Sequence, residues 1–276
     1  MPVYLPARSV LRVAGDDAGV FLDALVTNDV SAADGERSVY AALLSPQGKV
    51  IADMVAHRAG DGALLLDIPR DRAADLLRRL TMYRLRRRID LDDVSATLDV
   101  VIRTHGQSGQ TPDPRSPDGA LGARFIAAPP PADPDPLTDY ETLRIAAGVP
   151  DPAVDAGVEE VFALEALLEE LHGVDFQKGC FIGQENVSRM KRRATTRKKF
   201  CRVAFEGPAP AHGTPVIAGP ATLGDVRSGV QGRAIALLRL DRALEAREAG
   251  MPIMAGQTVL RLDPPDWLIL PEKGDT

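Results

Sequence analysis

The chain has 276 residues, of which 45% are hydrophobic and 26% are charged, and its formal net charge is -6. This composition is typical of a soluble globular protein with room for two or three packed units. The negative charge and an aromatic content of only 4% argue against nucleic acid as a partner, because they supply neither a basic surface nor a platform of stacked rings. No apolar run reaches the roughly 18 residues that a membrane span requires, so we expect no membrane partner.

The first hundred residues alternate strand and helix patterns. Short apolar runs at 10–13, 40–44, 50–57 and 63–68 predict strands, separated by turns that contain glycine or proline. Helices are predicted after residue 17 and after Pro69, where apolar side chains recur at helical spacing. A strand meander combined with helices indicates an α+β fold.

A proline-rich stretch follows at residues 104–136. Proline cannot donate to a helix or a strand ladder, so we predict an exposed loop around one short strand, Ala123–Ala127. Thr138 and Glu141 form a capping-box pattern, which predicts the start of a helix that ends near Gly148.

From Phe200 onward, short strands alternate with Gly/Pro turns, and this texture predicts a small C-terminal β-barrel. We therefore divide the chain into an α+β region at residues 1–195, with two subdomains and the proline-rich loop, and a β-barrel domain at residues 196–276.

The two cysteines, Cys180 and Cys201, form neither a disulfide framework nor a four-ligand metal spacing. Unpaired cysteines are typical of a reducing compartment, and the first residues lack the apolar core of a secretory signal. We therefore expect a cytoplasmic location. No metal site is predicted, because the histidines follow no ligand spacing.

Residues 173–189, GVDFQKGCFIGQENVSR, hold the strongest local pattern for chemistry. A glycine-rich turn that leads into a helix brings free backbone N–H groups and the positive end of the helix dipole together. Cys180 lies in this turn, with Lys178 two residues before it, and both features favour the thiolate form of a cysteine. The alternative is that Cys180 is a small buried side chain without chemistry.

The run KGCFIGQE at residues 178–185 resembles the KGC[YF]xGQE signature of the YgfZ/Iba57 family of folate-binding proteins. That family is related to the aminomethyltransferase, or T-protein, of the glycine cleavage system. Further segments resemble family motifs in the same order: GDDA, FL and TNDV between 15 and 30, PQGK and an Asp between 46 and 53, and LRIAAGVP at 143–150. Ordered matches over much of the chain are more specific than one short motif. Phe181 replaces the usual tyrosine, and the C-terminal family motifs are weak, with GDVRSG at 224–229 the best match.

The resemblance implies a glycine cleavage T-protein-like (GcvT/YgfZ) multi-subdomain α+β fold with a small C-terminal β-barrel. It implies tetrahydrofolate or a folate derivative in a central hole, and iron–sulfur client or scaffold proteins as partners, with Cys180 and Lys178 in the catalytic positions. A permanently bound iron–sulfur cluster is not expected, because stable clusters need several thiolates. The folate is expected to contact residues of the matching segments and of the second helix: Asn28, Asp53, Tyr83, Arg144, Gln184, Glu185 and Arg189.

Arginine and lysine concentrate in two stretches without acidic residues, at 78–88 and 189–202. Solvated surface is the plain interpretation of both. Because the second stretch follows the signature, it is also predicted to attract the anionic glutamate tail of folate, with Lys198 and Lys199 contributing. RNA or an acidic protein is the alternative partner of these stretches.

Three functional hypotheses follow. The preferred one is a tetrahydrofolate-binding accessory protein for the assembly or repair of iron–sulfur enzymes. The second is an aminomethyltransferase-like one-carbon transferase, whose carboxylate would be Asp90, Asp92 or Asp93; the T-protein family lacks the signature cysteine, which favours the first. The third is a non-enzymatic docking scaffold or RNA-associated protein. Whether the chain is an enzyme stays open.

Overall fold

The structure is a computed structural model, and it describes residues 2–103, 111–116, 118–129, 137–193 and 196–271. Two antiparallel sheets and a closed barrel form the framework of these parts of the chain, together with short helices. This mixed content of helix and sheet confirms the predicted α+β class.

A five-stranded antiparallel sheet forms the N-terminal part of the fold. Its strands, in chain order, are β2 (Arg8–Ala14), β3 (Val39–Leu44), β4 (Val50–Arg58), β5 (Leu64–Pro69) and β6 (Asp90–Asp93). In space they follow the order β3-β4-β5-β2-β6. Strands β3 and β4 are buried along nearly their whole length, which agrees with their nearly continuous apolar sequence.

The two faces of this sheet belong to different hydrophobic cores. Successive side chains of a strand point to opposite faces. Accordingly, Leu43 joins the core that contains α1 (Ala18–Asp23) and α2 (Ala73–Arg84), whereas its neighbour Leu44 joins a second core shared with residues 161–174 and the barrel. Strand β3 thus connects the N-terminal helices to the rest of the molecule.

A smaller antiparallel sheet has the order β1-β7-β8, built from β1 (Pro2–Tyr4), β7 (Asp99–Arg103) and β8 (Ala123–Ala127). The bounds of β8 are those predicted. The predicted exposure of the surrounding loop holds for Pro112 but is wrong for Asp113 and Arg115, which are buried and pair with each other. Proline content does not reveal such a charged pair. Other parts of this loop, 104–110, 117 and 130–136, lie outside the described residues.

The C-terminal part forms a closed six-stranded barrel, which confirms the predicted β-barrel. Its strands are β9 (Lys198–Ala204), β10 (Pro215–Ala218), β11 (Ala221–Val230), β12 (Arg233–Arg239), β13 (Ile253–Ala255) and β14 (Thr258–Leu262). They follow the order β10-β11-β12-β9-β14-β13, and β13 closes the barrel by pairing with β10. Strand β11 escaped prediction because glycine interrupts its pattern. Gly224 is required there, since a Cβ at this position would collide with the carbonyl oxygen of Leu237.

The other helices connect these units: α3 (Leu137–Ala147), α4 (Pro152–Asp155), α5 (Gln184–Arg192) and α6 (Leu240–Glu248), with short 3-10 helices at Val30–Ala32 and Arg70–Arg72. Helix α3 begins at Leu137, so Thr138 lies inside the helix and is not the predicted cap. Among the helices of the described residues, none combines the length and apolar character that crossing a membrane requires.

The predicted division of the chain after residue 195 stays a prediction. Residues 194–195 lie outside the described residues. One continuous hydrophobic core includes residues on both sides of that point, among them Leu171 and Val203.

Candidate functional site

Three of the sequence motifs meet at one place in the fold. The segment 173–183, which contains most of the signature, contacts the loop 26–28 and the turn 45–48 between β3 and β4. Thr27 joins the first two: its Oγ1 donates to the carbonyl oxygen of Gly173 at 2.6 Å. Segments that are far apart in sequence thereby form one structural unit.

Lys178 ties the signature to this loop. Its Nζ donates to the carbonyl oxygens of Val26 at 3.0 Å and Asn28 at 2.7 Å, and it lies 3.7 Å from Oδ1 of Asp23. Its side chain is 6% exposed, and burial lowers the pKa of the ammonium group although Asp23 opposes this shift. Held by three oxygen atoms, Lys178 is placed to position the segment that carries Cys180.

A close backbone contact joins the signature to the turn between β3 and β4. Gly183 has a left-handed φ of 82°, and an added Cβ would lie 2.7 Å from the carbonyl oxygen of Ser45 and 3.0 Å from Cα of Gly48. In the first turn of α5, Nδ2 of Asn186 donates to the carbonyl oxygen of Pro46 at 3.2 Å. These contacts determine where α5 begins, and only glycine suits both the conformation and the spacing at position 183.

Cys180 is exposed and lies between anchored neighbours, Lys178 and the buried Phe181. The Nζ of Lys178 lies 5.9 Å from the centre of the Phe181 ring. Cys201, in contrast, is buried in β9, where burial raises its pKa to about 12. Of the two thiols, Cys180 is the one that can react with a molecule in solution. Its interpretation as a buried side chain is therefore wrong.

Four of the predicted folate contacts lie in the segments that meet here. Nδ2 of Asn28 donates to the carbonyl oxygens of Tyr40 at 2.8 Å and His172 at 2.7 Å, which holds the 26–28 loop against β3. The other three lie on α5: Gln184, Glu185 and Arg189. Their placement beside Cys180 in the chain agrees with a shared site.

The remaining three predicted folate contacts lie elsewhere. Tyr83 is exposed near the C-terminal end of α2. Asp53 and Arg144 are buried and paired with other protein groups. Asp53 lies 3.4 Å from Arg8, and Nη1 of Arg144 donates to Asp155 at 2.9 Å. Both already have charged partners within the protein, which no local sequence pattern indicated.

A buried ionic network links the two sheets. Nε of Arg8 donates to Oδ1 of Asp67 at 2.6 Å, and Nε of Arg124 donates to Oδ2 of Asp67 at 2.5 Å. Burial alone would raise the pKa of Asp67, but Arg124 and Arg8 hold it well below its usual range. Asp113 extends the network, 3.6 Å from Arg124 and 2.8 Å from Arg115. Because a buried charge without a partner costs several kcal/mol, these groups depend on one another.

The lining of a cleft beside the signature includes two residues whose buried hydroxyl groups have no partner among the described residues. Its lining includes Asn28, Ser38, Tyr40, Pro112 and Asp175. The hydroxyl groups of Ser38 and Tyr40 are buried and make no hydrogen bond with any described residue. Burial, reinforced by nearby carboxylates, raises the pKa of Tyr40, so its phenol stays protonated. Buried polar groups normally have a partner, so these two are candidates for holding a ligand. Sequence reasoning missed both, because they occur within or beside an apolar strand.

The second basic stretch is only partly free to bind an anion. Lys199 is buried, and its Nζ donates to Oε1 of Glu170 at 2.6 Å and to the carbonyl oxygen of Ile269 at 3.0 Å. Nε of Arg202 donates to Asp263 at 2.8 Å. The prediction that Lys199 attracts a folate tail is therefore wrong, because its charge is already matched inside the protein.

The fold is that of the glycine cleavage aminomethyltransferase. The chain is similar to the crystal structure of glycine cleavage system aminomethyltransferase T from Bartonella henselae, with a TM-score of 0.72, 97% of this chain and 86% of that chain covered, and 14% sequence identity. Residues 197–269 match the family model of the CAF17 C-terminal β-barrel domain. The predicted T-protein-like fold with a C-terminal barrel is therefore confirmed.

The sequence relatives are named as iron–sulfur cluster assembly factors. The chain is 34% identical to an iron–sulfur cluster assembly factor IBA57 homolog of Mycosarcoma maydis, over 80% of this chain and 60% of that protein. It is 28% identical to iron–sulfur cluster assembly factor IBA57 of Mus musculus, over 95% of this chain and 84% of that protein. The match to the Neurospora crassa homolog covers 54% of that protein, so the chain spans less than two thirds of these two fungal relatives. Together with the fold and the barrel, these matches fit the YgfZ/Iba57 family and confirm the recognition made from the signature.

The predicted cytoplasmic location is wrong. The relatives from Mycosarcoma maydis, Neurospora crassa and Mus musculus are all named as mitochondrial proteins. Unpaired cysteines indicate a reducing environment, but this property does not identify one compartment.

Proposed function

We propose that the chain is a tetrahydrofolate-binding accessory protein for the assembly or repair of iron–sulfur enzymes, with Cys180 as its functional thiol. The observation that carries this proposal is an exposed thiol on a segment held by Lys178 and by the close contact at Gly183. The relatives are named as iron–sulfur cluster assembly factors, which supports the role. The partners are iron–sulfur client or scaffold proteins.

The surroundings of Cys180 suit brief contact with a partner's cluster. A thiolate is a good iron ligand, but a stable cluster takes several thiolates. The anchored residues Lys178 and Phe181 on either side limit the positions that the Cys180 backbone can adopt. A thiol that is already positioned loses less conformational freedom when it engages a partner. Cys180 therefore acts as a transient ligand for a cluster that another protein carries.

The cleft beside the signature fits a folate derivative. The hydroxyl groups of Ser38 and Tyr40 are buried and have no partner in the part of the chain that the structure describes, and Asn28 and Asp175 also belong to the lining of the cleft. A pterin ring combines a flat apolar face with hydrogen-bonding edges, and ligand clefts recognise such rings with a few polar groups in a mostly apolar lining. Ser38 and Tyr40 would hold the ring, and tetrahydrofolate would supply a reduced pterin able to carry a one-carbon unit.

The one-carbon transferase alternative receives less support. Its candidate carboxylates, Asp90, Asp92 and Asp93, are exposed on β6, at the edge of the five-stranded sheet. They do not line the cleft that contains Ser38 and Tyr40. The likeness to the aminomethyltransferase, at 14% identity, concerns the fold alone.

Calorimetric titration with tetrahydrofolate tests the folate part of the proposal. Tyr40→Phe removes one hydroxyl group and keeps the ring. We expect the affinity to fall about tenfold, or about 1.4 kcal/mol, while the free energy of unfolding does not fall, because the hydroxyl has no protein partner to lose. Tyr83→Phe, on the exposed end of α2, is the matched control and should bind normally. If the unaltered chain shows no heat of binding, the folate part is excluded.

A further inference from the structure

The C-terminal end of α2 and the loop that follows it combine positive charge with exposed apolar side chains. We name this region the α2-end surface; it consists of Met82, Tyr83, Leu85, Arg86, Arg87 and Arg88. Leu85 is 84% exposed and Met82 is 57% exposed. Single exposed apolar residues are common, but several large ones within four positions indicate a surface that meets another molecule.

The backbone holds Leu85 in this exposed position. Leu85 directly follows α2 with a φ of 52° and a ψ of -115°, a combination that is unfavourable for a residue with a Cβ and that glycine adopts most readily. Nη1 of Arg84 donates to the carbonyl oxygen of Ile89 at 3.1 Å and so closes the loop. Gly15 lets the carbonyl of Arg88 approach closely, since an added Cβ would collide with it. A strained leucine that remains in water contributes little to folding, which points to a functional reason for it.

Two arginines of this loop also lack a direct ion-pair partner among the described residues. Arg86 and Arg88 form no ion pair with any residue that the structure describes, and Arg87 lies 5.9 Å from the ring centre of Phe21. Earlier in α2, by contrast, the arginines at positions 78 and 79 both pair with Asp75. Asp16 and Asp17 line the same groove, but the guanidinium groups of Arg86 and Arg88 remain available to pair with carboxylates of a partner beside the exposed leucine.

We propose that the α2-end surface docks a partner protein that presents acidic side chains around an apolar pocket. Leu85 is the apolar anchor, and Arg86 and Arg88 pair with the carboxylates. A protein is favoured over nucleic acid because the exposed side chains of Leu85 and Met82 call for an apolar counterpart, which a phosphate backbone lacks. The inference rests on the proposed function, for which it supplies the surface that receives the iron–sulfur partner.

Binding of two probes tests the proposal. The first is a synthetic helical peptide with leucine on one face and glutamate on the other, and the second is transfer RNA; fluorescence anisotropy measures both. The variants are Leu85→Gly, which removes the anchor without changing charge, and Arg86→Glu/Arg88→Glu. The control, Arg242→Glu/Arg247→Glu on α6, makes the same change of charge at exposed positions of the barrel domain.

We expect both test variants to lower the affinity for the peptide at least tenfold, and the control variant to leave it unchanged. Leu85→Gly should not lower the thermal stability, because glycine adopts the positive φ of this position without strain. If Leu85→Gly binds the peptide as the unaltered chain does, the proposal is overturned. Binding of transfer RNA that survives Leu85→Gly but is lost in the arginine variant would assign the surface to nucleic acid and would also overturn it.

A second readout separates this proposal from the proposed function. The α2-end variants should keep the affinity for tetrahydrofolate and the alkylation rate of Cys180, because they alter neither the cleft nor the signature. In cells that lack the native protein, Leu85→Gly should fail to restore iron–sulfur enzyme activity, whereas Arg242→Glu/Arg247→Glu should restore it. If the unaltered chain does not restore activity, the proposed function has failed, and the peptide affinities still decide the role of the surface.

Discussion

Gly183→Ala adds a single methyl group at the contact between the signature and the turn between β3 and β4. The added Cβ would lie 2.7 Å from the carbonyl oxygen of Ser45, on a backbone with a φ of 82°. The left-handed conformation costs alanine about 1 kcal/mol, and forcing a methyl group into a packed contact costs about 1–3 kcal/mol more. We therefore expect the free energy of unfolding to fall by about 3 kcal/mol, measured by urea denaturation. The start of α5 should also shift, which would change the alkylation rate of Cys180.

Gly179→Ala is the matched control within the same signature. Apart from its two chain neighbours, no described residue would have an atom within 4 Å of an added Cβ at this position. The change in the free energy of unfolding should therefore stay within about 0.5 kcal/mol. If Gly183→Ala unfolds at the same urea concentration as Gly179→Ala, the contact between Gly183 and the turn between β3 and β4 does not determine where α5 begins.

The other predictions concern a thiol, a buried histidine and a buried ion pair. Cys180→Ser should change the free energy of unfolding by less than about 0.5 kcal/mol, because the side chain is exposed. The variant should nevertheless fail to restore iron–sulfur enzyme activity in cells that lack the native protein. Full restoration would exclude a functional thiol. Iodoacetamide should label Cys180 in the folded chain, whereas Cys201, whose pKa burial raises to about 12, should react only after unfolding, as mass spectrometry can show. Burial lowers the pKa of His57 from 6.5 to about 4, so as the pH falls the unfolded chain binds a proton before the folded chain does. The free energy of unfolding should therefore fall by about 3 kcal/mol between pH 6.5 and pH 4. His57→Gln should remove this loss, and an unchanged dependence of stability on pH would contradict the assignment. Arg144→Met should lower the free energy of unfolding by about 3–5 kcal/mol because it leaves Asp155 buried without its charged partner. Asp155→Asn in the same chain removes the buried charge but keeps an oxygen that can accept from a backbone N–H group, so it should recover part of that loss. No recovery would show that the pair is not the cause.

Much of the fold could be predicted because local patterns determine individual elements. The limits of β8 agree with the sequence pattern, and β4 extends only one residue beyond the predicted run. Strand β11 was not predicted because glycine is rare within strands. The glycine at position 224 is explained only by the fold, in which β12 approaches it closely. The burial of Asp113 and Arg115 could not be predicted either, because Asp113 is matched there by Arg124, which lies on β8.

The candidate site was predictable where a motif is continuous and unpredictable where its members meet through the fold. The signature identified Cys180 and Lys178, but the oxygens that hold Lys178 lie about 150 residues earlier in the chain. Arg8 and Asp67 are separated by 59 residues, so no periodicity links them. Tyr40 resembled any aromatic residue of a buried strand, and only the absence of a partner for its hydroxyl among the described residues marks it as a candidate.

The link between Lys199, Glu170 and Ile269 affects how the barrel could have been exchanged between proteins during evolution. The matched barrel domain begins at residue 197, whereas Glu170 and the rest of the shared core at 161–174 precede it. A fragment restricted to residues 197–269 would keep every barrel strand, but Lys199 would lose its carboxylate. The backbone N–H of Phe200, which donates to the carbonyl oxygen of residue 165 at 3.1 Å, would also lose its acceptor. The barrel therefore depends on the preceding segment for part of its stability. A gene fusion that transferred the barrel alone would yield a domain with an exposed apolar face and an unpaired charge.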